Sequence, residues 1–240
     1  MSIPLQSAVQ NRLLALMSPD DFALIAGDLA AVNLPRRFVM AEADTPIEYA
    51  YFLNSGVGSI VASSPEGQQA EAGLFGRDGF SSTALVTGST IGQCMVFMQI
   101  AGQGYRIRAK ALLAALAQSS SLRRLLLLYT QTLNTQTMFT ALSNAVHHVE
   151  ERLARWLLMC HDRSETDELA LTHEFLSIML AVRRPSVTTA LHVLEGNHFI
   201  ASGRGYITIR NRNALEVFAM DAYGRPEREY LRLIGPMRSF

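Results

Sequence analysis

Five side chains that suit contact with DNA lie within seven residues of this sequence. They are two arginines followed by three hydroxyl residues: Arg183, Arg184, Ser186, Thr188 and Thr189. Arginine can bind guanine through two parallel hydrogen bonds in the major groove, and hydroxyls can contact phosphates or base edges. A short helix that carries this set on one side would therefore suit the major groove.

The residues around this set predict the elements that would hold it. Residues 171–209 predict a helix, a tight turn, a second helix and a two-stranded hairpin, because the apolar spacing is first helical and then alternating. Thr172 suits the N-cap of the first helix, and residues 181–183 are few enough to form the turn. Pro185 fits the first turn of the second helix, where its missing N–H costs nothing. The inner face of that helix would consist of Val187, Ala190, Leu191 and Leu194.

The hairpin adds a wing to the predicted helix-turn-helix. Residues 202–205 have turn-forming composition, and residues 206–209 alternate as a half-buried strand does. Arg204 would lie at the tip, close to a DNA phosphate. Residues 173–213 contain five arginines and two glutamates, a net positive charge of the sign that DNA binding requires. The alternative is an ordinary pair of short helices with a solvated arginine pair.

The overall charge argues against a protein that coats nucleic acid or membranes without specificity. The 240 residues carry 21 basic and 21 acidic side chains. Residues 1–110 hold 7 basic and 9 acidic residues, whereas residues 111–240 hold 14 and 12, so the basic surplus lies with the predicted helix-turn-helix. Cys94 and Cys160 are too few for a disulfide framework or a four-cysteine zinc cluster, which predicts small core residues in a reduced protein.

Targeting and membrane signals are not expected in this sequence. The start MSIPLQSAVQNRLL lacks the basic and long apolar segments of a signal peptide. Apolar runs stay well below the roughly 18 residues that a transmembrane helix needs. We therefore expect a cytoplasmic protein without a membrane partner.

The first half of the chain predicts helices followed by a β-sandwich. Residues 7–31 have helical patterning, and residues 32–108 consist of short apolar runs separated by Gly, Pro, Ser, Asn and Asp. Many short strands at regular spacing predict an antiparallel sandwich or jelly roll. The predicted strands are residues 37–40, 49–54, 58–62, 70–75, 95–100 and 104–107.

A long helix is predicted from about Leu122 to Cys160, and much of it is poor in charge. Between positions 124 and 150 no Asp, Glu, Lys or Arg occurs. A helix so uncharged is expected to be buried on more than one side, and a second copy of it would provide the cover in a two-fold dimer. The alternative is the central helix of a monomeric core. From Val149 the pattern turns amphipathic, with a polar face of Glu150, Glu151, Arg152 and Arg155.

The order of these parts resembles the Crp/Fnr family of bacterial transcription regulators. The resemblance covers nearly the whole chain. Its most specific segments are VEERLARWLL at residues 149–158, residues 171–209 with LTHEFL at 171–176, and VRRPSVT at 182–188. Two helices after the wing, residues 214–223 and 227–234, have no predicted function.

The resemblance implies an α+β fold with three parts. These are an N-terminal antiparallel β jelly roll like a cyclic-nucleotide-binding domain (residues 1–118), a long dimerisation helix (119–147) and a C-terminal winged helix-turn-helix with a helical tail (148–240). Arg184 matches the family arginine at the start of the recognition helix. The predicted DNA-contact residues are Thr172, Arg183, Arg184, Pro185, Ser186, Thr188, Thr189 and Arg204.

Residues 73–96 depart from the relatives that bind cyclic nucleotides. Those relatives have a Gly-Glu pair where this chain has Gly79-Phe80, and residues 92–96 contain no arginine. A buried cyclic phosphate without a charge partner would be costly, so cAMP and cGMP are not the expected effectors. Residues that could line an effector pocket are Gly76, Arg77, Gly79, Phe80, Gln93 and Thr135, although the threonines of the long helix could equally form a solvated stripe.

Catalysis and cofactors are not expected. Two cysteines cannot supply the four thiolates of an iron–sulfur cluster, and all six histidines follow residue 146, which leaves the sandwich without a histidine ligand for haem or a metal. The sequence contains no nucleophile–base pair, metal-ligand cluster or phosphate-binding loop that would predict an enzyme.

The sequence therefore predicts a sequence-specific transcription regulator that acts as a homodimer on a palindromic site and is not controlled by cAMP. Double-stranded DNA and a second copy are the expected partners, while contact with RNA polymerase and the identity of any effector are open. The alternative is a ligand-sensing or protein-interaction scaffold with a weak or vestigial helix-turn-helix. Ala181 stands where the family commonly has glycine, and a left-handed backbone there would cost about 1 kcal/mol.

Overall fold

A computed structural model describes residues 3–237, which divide into two compact units. The N-terminal unit comprises residues 3–62 and 74–132, and the C-terminal unit comprises residues 63–73 and 133–237. The boundary near residue 132 falls within one continuous helix. The short segment 63–73 joins the C-terminal unit although it includes the last residue of one sandwich strand, the turn after it and most of the next strand.

In residues 3–118, helices occur before, between and after the strands along the chain. After a 3-10 turn at Gln6–Ala8 come α1 (Arg12–Leu16), α2 (Pro19–Ala26), α3 (Thr83–Thr87) and α4 (Ala109–Gln118). The Ser18 side chain caps α2 by accepting a hydrogen bond from the Asp21 N–H, and Pro19 occupies its first turn. Phe22 and Ile25 are the buried face of this helix.

Seven strands form two antiparallel sheets, as the jelly-roll prediction requires. They are β1 (Ala30–Leu34), β2 (Val39–Ala41), β3 (Tyr49–Leu53), β4 (Val57–Ser63), β5 (Gln69–Phe75), β6 (Met95–Ile100) and β7 (Gly102–Arg108). The strand orders are β1-β7-β3 and β2-β6-β4-β5. The alternation in β7 buries Ile107 and leaves Arg106 and Arg108 on the opposite face.

One part of the N-terminal prediction was wrong. Residues 30 and 31 belong to β1 and not to a helix, because β1 pairs along its whole length with β7. Before β1 the chain is helical as predicted, in two separate helices that Asn11 and Ser18 cap.

The predicted long helix is divided into α5 (Ser120–Val146) and α6 (Val149–Arg163). His148 is the N-cap of α6, and its backbone N–H donates to Glu151 Oε2 over 3.0 Å. Such a cap gives the first turn of a new helix its partners, so the continuous helix predicted to Cys160 was wrong.

The polar face predicted for α6 lies partly inside the protein. Arg155 is buried, and its guanidinium donates to Thr140 Oγ1 over 3.1 Å. Arg155 is less exposed than predicted because every residue of α6 after Arg152 is buried.

The remaining elements form the C-terminal end of the described chain. They are β8 (Glu168–Leu169), α7 (His173–Met179), α8 (Arg184–Gly196), β9 (Ile200–Gly203), β10 (Tyr206–Ile209), α9 (Arg212–Ala219), a 3-10 turn at Met220–Ala222 and α10 (Arg225–Leu233). The sheet order is β8-β10-β9. The wing is thus three-stranded and not the two-stranded hairpin that the sequence predicts, because Leu169 pairs with Ile207 and Glu168 with Thr208.

Candidate DNA-binding surface

The first helix of the motif, α7, begins as the sequence predicts. Thr172 Oγ1 accepts a hydrogen bond from the Phe175 N–H over 3.4 Å, which satisfies one of the free amides of the first turn. Phe175, Leu176 and Met179 are buried and fix α7 against the core of the C-terminal unit. The hydroxyl predicted to contact DNA therefore already serves as a helix cap.

Ala181 and Arg152 hold the turn between α7 and α8, one by its backbone conformation and the other by a hydrogen bond. Ala181 has a φ of +50°, which is the left-handed conformation expected from the family's glycine at this place. A guanidinium nitrogen of Arg152, on α6, donates to the carbonyl of Leu180 at the end of α7. This contact fills an acceptor that the helix end leaves open and ties the turn to α6.

The second helix, α8, divides into a buried and an exposed side as predicted. Pro185 lies in the first turn, and the buried residues are Val187, Ala190, Leu191 and Leu194. Five of the predicted contact residues on α8 and at its N-cap are exposed: Arg183, Arg184, Pro185, Ser186 and Thr189. Thr188 is half-buried.

The threonine hydroxyls of α8 are engaged by their own helix. Thr188 Oγ1 donates to the Arg184 carbonyl over 3.2 Å, and Thr189 Oγ1 donates to the Pro185 carbonyl over 3.1 Å. A threonine whose hydroxyl is bound to the carbonyl four residues earlier keeps its methyl group and oxygen lone pairs for other partners.

Two residues of α7 that the sequence did not single out contact the predicted set. Glu174 Oε1 lies 3.7 Å from an Arg184 guanidinium nitrogen, and both side chains are more than half exposed. His173 Nδ1 lies 3.4 Å from Thr188 Oγ1. The sequence could have indicated these contacts. His173 and Glu174 directly follow the Thr172 cap, and the first turn of α7 lies beside the start of α8.

The wing presents a cation at its tip. Arg204 and Gly205 connect β9 to β10, both are exposed, and Gly205 has a φ of +89° that favours glycine. Tyr206 is 42% exposed, and its ring lies where a Cβ on Gly203 would be.

Glu195 joins α8 to the wing. One Glu195 carboxylate oxygen accepts hydrogen bonds from the Ser202 hydroxyl and, over 2.8 Å, from the Ser202 N–H. These bonds lower the pKa of Glu195.

One of the five arginines counted for this segment is not available to DNA. Arg212 donates to Asp162 Oδ1 over 2.7 Å and to Glu216 Oε1 over 2.7 Å. Its side chain is 22% exposed. The Tyr223 hydroxyl completes the cluster by donating to Asp162 Oδ2 over 2.8 Å. The positive charge that residues 173–213 can present to DNA is therefore smaller than the count of arginines indicates.

The candidate effector residues do not all lie in one unit. Gly76, Arg77, Gly79, Phe80 and Gln93 belong to the N-terminal unit and Thr135 belongs to the C-terminal unit. Gly76 N–H donates to Asp78 Oδ1 over 2.7 Å, the Arg77 carbonyl accepts from Arg12 N–H over 2.7 Å, Gln93 is exposed, and Thr135 is half-buried on α5.

Aromatic rings fill the space beside Gly79 and Phe80. The Phe80 ring is fully buried, with its centroid 5.3 Å from that of Phe52 and 5.3 Å from that of Tyr129. A Cβ on Gly79 would lie 2.0 Å from the Tyr129 hydroxyl oxygen. Residue 79 must therefore be glycine for Tyr129 to pack where it does.

Residues 3–237 contain neither a cluster of metal-ligating side chains nor a single membrane-spanning helix. No group of three or more His, Cys, Asp or Glu residues is arranged there to hold a metal ion. No single helix in this part of the chain has the length and hydropathy to cross a membrane, and the pair α4–α5, which reaches both only jointly, is bent by 117°.

Comparison with known proteins identifies the motif. Residues 151–218 match the Crp-like helix-turn-helix domain family. The fold is similar to FixK2 from Bradyrhizobium japonicum (TM-score 0.68, 18% identity, 79% of this chain and 96% of that one). It is also similar to the c-di-GMP-responsive regulator CLP of Xanthomonas campestris (0.63, 17%, 80% and 99%).

A third solved structure, a CooA mutant from Carboxydothermus hydrogenoformans, has a TM-score of 0.61 at 11% identity and covers 90% of this chain and 98% of its own. No curated protein matches the chain by sequence. These comparisons confirm the predicted Crp/Fnr fold and the Crp-like helix-turn-helix.

Proposed function

We propose that this chain, which has the Crp/Fnr fold and a Crp-like helix-turn-helix over residues 151–218, is a sequence-specific transcription regulator that binds double-stranded DNA as a homodimer. The observation that carries the proposal is the exposed start of α8. Arg184, Ser186 and Thr189 are exposed there, while the opposite face of the same helix is buried. A helix fixed on one side and polar on the other can enter the major groove.

The exposed residues would take different parts in binding. Arg184 has the five-donor guanidinium that can bind guanine O6 and N7, and releasing Glu174 would free it for the base. Arg204, at the wing tip, would contact a phosphate, which adds affinity without sequence preference. Thr189 would use its methyl group toward thymine, because its hydroxyl is already bound to the Pro185 carbonyl.

The surface of α5 supports the homodimer. Positions spaced alternately four and three residues apart along this helix are all exposed and uncharged: Leu127, Gln131, Asn134, Met138, Ala141 and Ala145. This is the heptad spacing of a two-stranded coiled coil. Asn134, a polar residue within that seam, would favour one register of pairing. We call these six residues the α5 seam.

A two-fold dimer would set the form of the DNA site. Two copies of α8 would enter successive major grooves about 34 Å apart, so the site would be a palindrome with half-sites one helical turn apart. The protein would act in the cytoplasm. Any contact with RNA polymerase would be independent of the DNA contacts proposed here.

Control by cAMP is not part of the proposal. Phe80 takes the place of the family's acidic residue, and its ring packs between Phe52 and Tyr129. No arginine lies in residues 92–96 to neutralise a cyclic phosphate.

Selection from a randomised duplex pool tests the function. The proposal predicts recovery of a palindromic sequence that binds two chains at physiological salt. The second candidate, a scaffold whose helix-turn-helix is vestigial, predicts only weak, salt-sensitive binding without sequence preference, and that result would contradict the proposal.

A further inference from the structure

A cavity on the outer face of sheet β1-β7-β3 has no role in DNA binding. Its volume is about 300 Å³. Its lining comes from Arg106 and Arg108 of β7, Tyr49 of β3 and Ala30 of β1, together with Ile3 and residues 26–29 at and after the end of α2. Arg106 and Arg108 share this face because they are two residues apart on one strand, and Tyr49 pairs directly with Arg108.

Aromatic packing holds the two guanidinium groups beside each other. Arg106 Cζ lies 4.6 Å and Arg108 Cζ lies 5.3 Å from the centroid of the Tyr49 ring. A guanidinium that stacks on a ring keeps its N–H groups, which lie in its own plane, for other acceptors.

Neither guanidinium is neutralised by an ion pair with a carboxylate within residues 3–237, in contrast to Arg184, Arg212 and Arg232. Among the residues that line the cavity, only Asp28 is acidic. Glu48 precedes Tyr49 in the chain and does not line the cavity. Two positive charges and one negative charge therefore line a space of ligand size.

We propose that this cavity binds a small phosphate monoester with a hydroxylated body, such as a sugar phosphate. The two arginines match the charge of about −1.5 to −2 that a phosphate monoester carries at neutral pH. Their fork-shaped donors suit phosphate oxygens. Asp28 would accept a hydrogen bond from a hydroxyl of the body, and the cavity volume is at the small end of ligand sites.

This site differs in place and chemistry from the residues around Gly79 and Phe80. It uses the solvent side of a sheet whose other side carries the buried Phe52 and Ile107. It does not depend on the proposed function, because none of its residues belongs to α7, α8 or the wing.

Calorimetric titration of the full chain with ribose 5-phosphate, inorganic phosphate and ribose tests the site. We expect saturable binding of ribose 5-phosphate, weaker binding of phosphate and none of ribose. Arg106→Gln and Arg108→Gln should each weaken ribose 5-phosphate at least tenfold, and Asp28→Asn should weaken it while leaving inorganic phosphate unchanged. Lys110→Gln removes a nearby exposed charge outside the cavity lining and should have no effect.

Thermal unfolding of each variant without ligand checks that the fold is retained. If no probe binds saturably, or if Lys110→Gln weakens binding as much as Arg106→Gln and Arg108→Gln do, the proposal is wrong. Equal binding of phosphate and ribose 5-phosphate would refute the part assigned to Asp28 and the hydroxylated body.

Discussion

The indole N–H of Trp156 donates a hydrogen bond to Glu71 Oε1 over 2.7 Å, and both side chains are buried. Glu71 lies on β5, in the segment 63–73 that joins the C-terminal unit, and Trp156 lies on α6. Gly73 comes close to α5, since a Cβ there would lie 3.0 Å from Gln136 Oε1. These contacts fix the hairpin between β4 and β5 to the helices of the C-terminal unit.

Loss of the Glu71 carboxylate should destabilise this unit. Glu71→Ala leaves the buried indole N–H without its acceptor, a change that costs about 1–3 kcal/mol. Glu71→Gln retains an oxygen acceptor and should cost less. Trp156 is the only tryptophan, so its fluorescence reports the contact directly during chemical unfolding. Equal losses for Ala and Gln would show that the indole hydrogen bond is not what stabilises the hairpin.

Glycine at position 181 should stabilise the protein. Ala181 has a left-handed backbone, which costs an alanine about 1 kcal/mol and a glycine almost nothing. The free energy of unfolding of Ala181→Gly should rise by several tenths to 1 kcal/mol in urea titrations. The matched control is Ala114→Gly in the exposed interior of α4, where glycine should destabilise by a similar amount. A loss of stability at both positions would contradict the strain at Ala181.

The link between α8 and the wing should weaken in acid. Hydrogen bonds from Ser202 lower the pKa of Glu195 below 4.5 in the folded state. A depressed folded-state pKa adds stability that is present above pH 4.5 and is lost as the pH falls through the folded-state value. Glu195→Gln should therefore reduce the free energy of unfolding at pH 7, and its difference from wild type should shrink toward pH 3.

Ser202→Ala is the partner variant for this test. It removes the hydroxyl hydrogen bond to Glu195 and keeps the one from the backbone N–H, so the double variant should lose less than the sum of the two single losses. Additive losses would show that the two residues act independently.

A charge within the α5 seam should separate the dimer. Met138 is 59% exposed on α5, and Met138→Asp would place a carboxylate against its counterpart in a second copy. Sedimentation velocity should then show monomers at concentrations where the wild type is dimeric. Ser120→Asp adds the same charge at the start of α5, outside the seam, and should leave the dimer intact. An unchanged Met138→Asp dimer would exclude the seam as the interface.

Local chemistry made the helix-turn-helix predictable. Thr172 and Pro185 each act within one turn of their own position, as cap and first-turn proline, so their roles follow from nearby sequence. The left-handed backbone of Ala181 was expected only from the glycine that the Crp/Fnr family commonly has there. The break before α6 was not predicted, because its cap is His148 with Glu151 and not a hydroxyl residue followed by an apolar run.

Long-range packing explains the other differences. Glu71 and Trp156 are 85 residues apart, and no local pattern predicts their hydrogen bond. Arg155 and Arg212 have the composition of a solvated surface, but neighbours from other elements cover them: Thr140 for Arg155, and Asp162 and Tyr223 for Arg212. The predicted DNA contacts stay predictions, although the fold exposes most of them.

Binding of the Arg184→Ala and Arg204→Ala variants to a selected operator and to a scrambled duplex, over a range of salt, tests the central claim most directly. Arg184→Ala should lose about 1–3 kcal/mol of preference for the selected sequence. Arg204→Ala should weaken both duplexes alike and reduce the salt slope by about 1. Undiminished preference in Arg184→Ala would contradict the assignment of α8 as the recognition helix.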